Sequence, residues 1–190
     1  QGKGNVVRRM FADIEADIYI MADGDATYDA KSAGILVKKL VDEGLDMVNG
    51  ARETVEEGAY RSGHQFGNKL LTGLVRFFFG ARIEDMLSGY RVFSRRFVKS
   101  FPANSHGFEI ETELTVYALQ MRLPIDEVKT PYYSRPEGSI SKLSTYKDGL
   151  VILKMIGFLL KEEKPFLTFG LISILLVLMG FVLAIPIYID

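Results

Sequence analysis

The positions of apolar and polar residues predict that helices and strands alternate along the chain. Residues 5–15 fit an amphipathic helix with one apolar face, formed by Val6, Val7, Met10, Phe11 and Ile14. Residues 18–22 form a short apolar run typical of a strand that is buried on both faces. A helix that begins at Asp29 and ends at Gly44 follows, and then a strand over 45–50. The residues of that helix expected to face inward are Ile35, Leu36, Leu40 and Val41. This βαβ order predicts an α/β fold in which helices cover both faces of a mainly parallel sheet.

The pattern continues through the next hundred residues. A polar segment over 51–63 predicts a loop, and the residues beyond it predict helices over 64–79 and 108–121 and a strand over 125–133. The apolar end of the first of these helices, around Phe77, fits the core better than a surface that dips into a bilayer. The soluble part is long enough for one domain with a sizeable core.

The end of the chain predicts a membrane anchor. Residues 166–189 carry no charge, and 24 helical residues reach roughly 36 Å, enough for a hydrocarbon core of about 30 Å. The amphipathic stretch before them is typical of a helix that lies along a membrane surface. Lys161 and Lys164 predict that the preceding domain is cytoplasmic, because basic residues that flank a span stay on that side.

Composition narrows the possible chemistry. The chain has no cysteine, which excludes thiolate metal sites, thiol nucleophiles and disulfides. Residues 11–60 hold twelve acids against four bases and residues 60–99 hold eight bases against two acids, so the first stretch suits a metal ion and the second suits phosphates. Solvated faces explain either stretch equally well.

Two carboxylates follow the first predicted strand. Asp23 and Asp25, separated by Gly24, stand at the carboxyl end of that strand, where ligands bind in parallel sheets. Both can face one Mg²⁺ or Mn²⁺, because hard cations prefer oxygen ligands, and the glycine lets a diphosphate approach the backbone. The alternative is an ordinary surface turn, in which Asp-x-Asp is common.

Four blocks of residues, in order and at family-like spacing, resemble family 2 inverting glycosyltransferases of the polyprenyl-phosphate, dolichol-phosphate mannose synthase-like type. They are Gly-Lys-Gly-Asn-Val-Val-Arg at 2–8, Ile-Met-Ala-Asp-Gly-Asp at 20–25, Asp-Met-Leu-Ser-Gly-Tyr-Arg at 85–91 and Arg-Pro-Glu-Gly-Ser-Ile-Ser-Lys-Leu at 135–143. The resemblance covers essentially the whole chain.

The resemblance implies a GT-A-like fold whose first βαβ portion, which binds the nucleotide base, is missing before residue 1. The chain by itself can therefore be inactive. We expect the C-terminal portion of a glycosyltransferase catalytic domain over 1–143, an amphipathic interfacial helix over 144–164 and a transmembrane helix over 165–190.

For the donor, the resemblance implies a nucleotide diphosphate sugar. Asp23 would approach the sugar, and Asp25, with Asp23, would hold the Mg²⁺ or Mn²⁺ that neutralises the leaving diphosphate. Arg52 would contact the donor phosphates. Arg61 is a second, less well supported candidate for the same contact. Thr27 stands where related enzymes often have a glutamine ligand, so a third protein ligand is in doubt.

For the acceptor, the resemblance implies polyprenyl phosphate, either dolichyl or undecaprenyl, at the membrane lipids. Asp85 would be the catalytic residue, as a base for a hydroxyl or as an orienting group for an ionised phosphate, unless it only caps a helix or pairs with Arg91. The acceptor phosphate would bind a group of residues in one loop, namely Arg135, Ser139, Ser141 and Lys142. Generic attraction of that loop to anionic headgroups is the alternative.

Two other functions stay open. One is a transferase of the same family with another lipid or a polysaccharide as acceptor, although the absence of tryptophan argues against the Gln-x-x-Arg-Trp motif of processive synthases. The other is a non-catalytic, transferase-like membrane protein. No nucleic-acid partner is expected.

Overall fold

The computed structural model describes residues 2–54, 62–79, 83–104, 107, 109–134 and 145–189. The helices within these residues are α1 (Lys3–Asp13), α2 (Ser32–Asp42), α3 (Ser62–Phe79), α4 (Arg95–Ser100), α5 (Ile110–Gln120), α6 (Thr145–Glu163) and α7 (Pro165–Ile189). The strands are β1 (Ile18–Met21), β2 (Met47–Thr54), β3 (Arg91–Ser94) and β4 (Ile125–Tyr132).

The four strands form one sheet in the order β1-β3-β2-β4. β2 and β4 pair in parallel, whereas β3 is antiparallel to both of its neighbours. β1, β2 and β4 therefore run in one direction and β3 runs against them, which makes the sheet mixed. The sequence analysis missed β3 and α4, because a four-residue strand that leads directly into a six-residue helix is too short for a periodic pattern.

Helices cover both faces of the sheet, as the sequence predicts. Alternate strand residues point to opposite faces, so Phe93 of β3 joins the core formed with α1, α4 and α5, while Val92 joins the core formed with α2. Met47 and Val48 of β2 divide in the same way. Two cores on one sheet define the α/β architecture.

Several predicted core positions are wrong. β1 is not buried on both faces, since it lies at one edge of the described sheet and Ile20 is 51% exposed. α1 buries Val7, with Phe11 partly buried, but leaves Val6, Met10 and Ile14 exposed, and α2 buries Leu36 and Leu40 but leaves Ile35 and Val41 exposed. Each of these two helices therefore buries a narrower apolar stripe than predicted. Phe77 of α3, expected in the core, is 81% exposed.

The chain divides into two compact units, Gln1–Met155 and Ile156–Asp190. In the second unit, α7 begins at Pro165, and Thr168 donates a hydrogen bond from its hydroxyl to the carbonyl of Leu160 at 3.1 Å. Over Pro165–Ile185 the mean hydropathy is 2.7 and no residue is buried. Among the described residues, this helix alone is long and apolar enough to cross a membrane.

Candidate active site

The site lies beyond a row of residues that crosses the sheet. Met21 of β1 pairs with Arg91 of β3, which pairs with Asn49 of β2, which in turn pairs with Glu127 of β4. The next residues of β1, β2 and β4 all continue toward the same edge, because these three strands run in one direction. The sheet thus brings the loop after β1 and the end of β2 to one side of the domain.

Asp23, in the loop after β1, contacts the start of α1. The ammonium group of Lys3 donates to Oδ1 of Asp23 at 2.5 Å and also to Oε1 of Glu111 in α5. Burial opposes the charge of Lys3, but the two carboxylates outweigh it and raise the pKa of Lys3 above its ordinary value. Lys3 is therefore a largely buried cation between two carboxylates.

Asp25 is held within its own turn. Its Oδ1 accepts hydrogen bonds from the hydroxyl of Thr27 at 2.6 Å and from the backbone N–H of Thr27 at 3.3 Å. Ala26 between them has φ = 59°, a left-handed conformation that favours glycine and asparagine over alanine. Thr27 is almost fully buried, and its carbonyl accepts from the N–H of Tyr133 after β4. The hydroxyl of Thr27 therefore orients Asp25.

The carboxylate oxygens of these two aspartates are the kind of ligand that a divalent cation such as Mg²⁺ or Mn²⁺ prefers. Within the described residues, however, no group of three His, Cys, Asp or Glu side chains is placed to hold a metal. A cation at this loop would take its other ligands from a bound molecule or from water. The ammonium group of Lys3 already compensates the charge of Asp23, which makes that carboxylate a weaker ligand for a cation.

Asp85 is enclosed by hydrogen-bond donors. The guanidinium group of Arg52 forms a two-pronged contact, from Nε to Oδ2 and from Nη2 to Oδ1, both at 2.7 Å. The backbone N–H of Arg52 donates to Oδ2 at 3.1 Å, and the amide of Asn68 in α3 donates to Oδ1 at 2.7 Å. Burial by itself would raise the pKa of Asp85, but these donors, Arg52 above all, outweigh it and lower the pKa.

The backbone around Asp85 is also held in place. Asn49 donates to the carbonyl of Asp85 at 2.8 Å and to Oε2 of Glu127 at 2.6 Å. The carboxylate of Glu127 accepts in addition from the N–H groups of Glu84, at 2.9 Å, and Asp85, at 3.3 Å. Burial raises the pKa of Glu127, against the lowering effect of these donors. Two sheet residues therefore position the Asp85 segment rigidly.

The loop that follows Asp85 approaches Asp23 closely. A side-chain Cβ at Gly89 would lie 2.6 Å from Oδ2 of Asp23, a distance that real Cβ atoms essentially never show. The N–H of Gly89 donates to the hydroxyl of Tyr28 at 2.9 Å. Arg91 is fully buried and donates to the carbonyls of Met86 and Ser88, so it supports this loop from below and does not pair with Asp85.

A cavity of about 460 Å³ opens beside Asp85, between α3 and the ends of β2 and β4. Basic side chains that line it include Lys69, Arg76 and Lys129, and its acidic side chains include Glu53 and Glu84. This volume lies in the range of small-molecule sites. The cavity therefore provides room for a polar ligand next to the Asp85 carboxylate.

The predicted site residues divide into three groups. Asp23 and Asp25 share one loop, and Arg52 and Asp85 form a buried pair. Arg61 and the whole acceptor-phosphate group, Arg135, Ser139, Ser141 and Lys142, lie outside the described residues. The alternative in which Asp85 only pairs with Arg91 does not hold, because Asp85 pairs with Arg52.

Sequence reasoning missed several residues that build this site. Glu111, Asn49, Asn68 and Glu127 were assigned no role, and Lys3 was seen only as part of a motif. For Asn49 and Glu127 a signal exists: a polar residue occupies each of two predicted strands. Asn68 and Glu111 lie on helices whose partners are far away in sequence, so their roles have no local signal.

No protein-family model matches the chain. Over 105 residues the chain is 56% identical to an uncharacterized protein of Shigella flexneri, covering 55% of this chain and 64% of that protein. Glycosyltransferase AglJ of Haloferax volcanii is 36% identical over 171 residues, covering 89% of this chain and 56% of AglJ. The low-salt glycan biosynthesis hexosyltransferase Agl6 of the same organism is 32% identical over 152 residues, covering 78% of this chain and 36% of Agl6.

The fold is similar to that of glucosyl-3-phosphoglycerate synthase from Mycobacterium tuberculosis. Its complex with Mn²⁺, uridine diphosphate and phosphoglyceric acid matches with a TM-score of 0.64 and 21% identity, over 86% of this chain and 55% of that one. The GT-A-like α/β fold that the resemblance implied is confirmed. AglJ and Agl6 are glycosyltransferases, and the chain spans less than two thirds of the length of each of these three sequence relatives.

Proposed function

We propose that the protein transfers one sugar from a nucleotide diphosphate sugar to polyprenyl phosphate, with inversion at the anomeric carbon. The observation that carries the proposal is the state of Asp85, which lies beside a cavity and is held as a carboxylate of lowered pKa by Arg52 and Asn68. The similarity to glycosyltransferases AglJ and Agl6 supports the general reaction.

The state of Asp85 favours a phosphate acceptor over a hydroxyl acceptor. A hydroxyl must lose its proton during attack, and a carboxylate with a lowered pKa is a weak base for that step. A phosphate monoester has a second pKa of about 6 and is already largely ionised at pH 7, so it needs no base. In this proposal the Arg52–Asp85 pair orients the acceptor and the sugar at the cavity.

The donor side is proposed to use Mg²⁺ or Mn²⁺. Complexes of glucosyl-3-phosphoglycerate synthase contain uridine diphosphate with Mn²⁺ or with Mg²⁺. In this chain, Asp25 would hold such an ion, with its Oδ1 oriented by Thr27, and Asp23 would face the sugar. When bound, the cation supplies positive charge that stabilises the leaving diphosphate. Arg61 is proposed as a further contact to the donor phosphates.

The acceptor side is proposed to lie at a membrane surface. Residues 144–164 would lie along the lipid headgroups and 165–190 would span the bilayer, in keeping with the length and hydropathy of α7. Lys161 and Lys164 favour a cytoplasmic catalytic domain. Arg135 and Lys142, with the hydroxyls of Ser139 and Ser141, would bind the lipid phosphate through charge-assisted hydrogen bonds.

The proposal is tested by identifying the product. The full-length protein, with any residues that precede this chain, is purified into liposomes and offered several nucleotide sugars with Mn²⁺, with and without undecaprenyl or dolichyl phosphate. The lipids are then analysed by mass spectrometry. We expect a polyprenyl phosphate that carries one sugar, its loss in Asp25→Asn, and its retention in Asp42→Asn, a matched change at an exposed helix carboxylate. Transfer only to a hydroxyl acceptor, or no transfer of any sugar, would contradict the proposal and favour one of the two alternative functions.

The acceptor loop is tested separately. Arg135→Ala and Lys142→Ala should each lower acceptor kcat/KM by roughly 10- to 150-fold, the equivalent of about 1.5–3 kcal/mol for a lost charge-assisted hydrogen bond. Donor affinity measured without acceptor should stay the same. Equal losses for donor and acceptor would place these residues at the diphosphate instead.

A further inference from the structure

Lys3 occupies a position at the candidate site that the proposed reaction does not yet use. Its side chain is only 17% exposed, and its ammonium group is shared between Asp23, at the site, and Glu111, whose side chain is 6% exposed. Lys3 begins α1, and the N–H of the adjacent Gly4 donates to the carbonyl of Gly107 at 3.2 Å. This backbone contact holds the start of α1, from which the Lys3 side chain extends.

Asp23 is oriented by Lys3, which binds its Oδ1 at 2.5 Å. Its Oδ2 lies over Gly89, where a Cβ would come within 2.6 Å of Oδ2 and 2.9 Å of the nitrogen of Lys3, so only glycine leaves room for this pair. The side chain of Asp23 is still 36% exposed and can reach a ligand. Asp25, by contrast, is oriented by Thr27 from within its own turn.

These contacts give the two aspartates different chemistry. The positive charge of Lys3 already compensates Asp23, and a divalent cation on the same carboxylate would be repelled by the ammonium group. A carboxylate compensated in this way still accepts hydrogen bonds from neutral hydroxyl groups, such as those of a sugar. Asp23 is therefore suited to a neutral hydroxyl group and not to a cation.

We propose that Lys3 is a positioning residue that keeps Asp23 out of the coordination shell of the divalent cation and directs it toward the sugar of the donor. The inference rests on the proposed function for the identity of the cation and the sugar. It explains why two carboxylates two residues apart have separate roles, and it predicts that Asp23 becomes a metal ligand once Lys3 is removed.

The test uses Mn²⁺ alone, so it does not depend on which sugar is transferred. Free Mn²⁺ is titrated into the complete chain in detergent and measured by electron paramagnetic resonance, for the wild type, Lys3→Met, Asp23→Asn and the double variant Lys3→Met/Asp23→Asn. We expect Lys3→Met to bind Mn²⁺ about tenfold more tightly than the wild type, because a second carboxylate joins the site. The double variant should return to the wild-type affinity, and Asp23→Asn alone should change it little.

Other outcomes would overturn the inference. If tighter binding persists in the double variant, Lys3 acts only through its charge and not through Asp23. Unchanged, weaker or undetectable Mn²⁺ binding by Lys3→Met would show that Asp23 is not restrained by Lys3. A marked loss of Mn²⁺ affinity in Asp23→Asn alone would show that Asp23 is already a ligand.

A second pair of variants, which carry Glu111→Gln, controls for loss of folding. Oε2 of Glu111 is buried and has no hydrogen-bond partner among the described residues, so Lys3→Met leaves a buried carboxylate without its cation. Lys3→Met/Glu111→Gln removes that charge and should fold, as judged by thermal unfolding, while still binding Mn²⁺ more tightly than Glu111→Gln alone. Wild-type-like Mn²⁺ affinity in a folded Lys3→Met/Glu111→Gln protein would reject the inference. A lack of sugar transfer by the wild type would reject the proposed function instead.

Discussion

The contact between Arg52 and Asp85 should be the strongest pairwise interaction of the site. The two side chains are 13% and 8% exposed and share two hydrogen bonds of 2.7 Å. Removing one partner of a buried ion pair costs about 3–5 kcal/mol, because the other charge is left uncompensated. The guanidinium group of Arg52 also lies 5.5 Å from the ring centre of Tyr132. When Asp85 is replaced, this cation–π contact remains and still stabilises the guanidinium group by about 0.5–1 kcal/mol. We therefore expect Asp85→Asn to destabilise the domain by about 3 kcal/mol.

A double-mutant cycle measures this interaction directly. The free energy of unfolding is determined from urea titrations of the wild type, Asp85→Asn, Arg52→Met and the double variant, followed by circular dichroism in detergent. We expect the double variant to be more stable than the sum of the single changes predicts, by about 2–3 kcal/mol, because neither charge remains buried alone. A coupling energy below about 0.5 kcal/mol would refute the reasoning, because that value is typical of sites that do not interact.

The Arg52–Asp85 ion pair also leads to a prediction about pH dependence. The folded pKa of Asp85 lies below its ordinary value of 3.8, so the stabilisation from its charge is present above that value and is lost as pH falls through the folded pKa. Asp85 should therefore add no inflection to the pH dependence of kcat/KM between about pH 5 and 8. An acid limb near neutral pH that disappears in Asp85→Asn would show instead that Asp85 is a base of raised pKa.

Three further predictions test other parts of the molecule. Gly89→Ala should lower activity more than about tenfold, since its Cβ would displace the carboxylate of Asp23 from its place beside Lys3. Gly34→Ala, in open space on α2, is the matched control and should leave activity unchanged, so equal effects of the two would contradict the steric argument. Thr27→Val should raise the Mn²⁺ concentration needed for half-maximal activity several-fold, because it removes the shorter of the two hydrogen bonds from Thr27 to Asp25. Thr27→Ser keeps the hydroxyl and should not raise it, so identical values for both variants would exclude that role. The complete chain should resist alkaline carbonate extraction from liposomes and a chain lacking α7 should not, whereas extraction of both would disprove the span.

Some features of the protein follow from the sequence alone. The alternation of helices and strands, the turn with Asp23 and Asp25 after β1, and the helix that begins at Pro165 were all predicted, and the structure contains each of them. Hydrophobic periodicity and turn chemistry act over a few residues, so they can be recognised without knowing which elements become neighbours. The functional assignment of the motifs came from a family resemblance, which no local pattern supplies.

The chemical state of the site is decided by tertiary structure. Arg52 meets Asp85 across 33 positions of sequence, and Lys3 meets Glu111 across 108. The insertion of β3 between β1 and β2 creates the row from Met21 to Glu127 on which the site is built. The sequence shows which carboxylates are present, but their charge and direction depend on burial and on the cations that the fold brings to them, because electrostatic interactions act through space and strengthen where water is excluded.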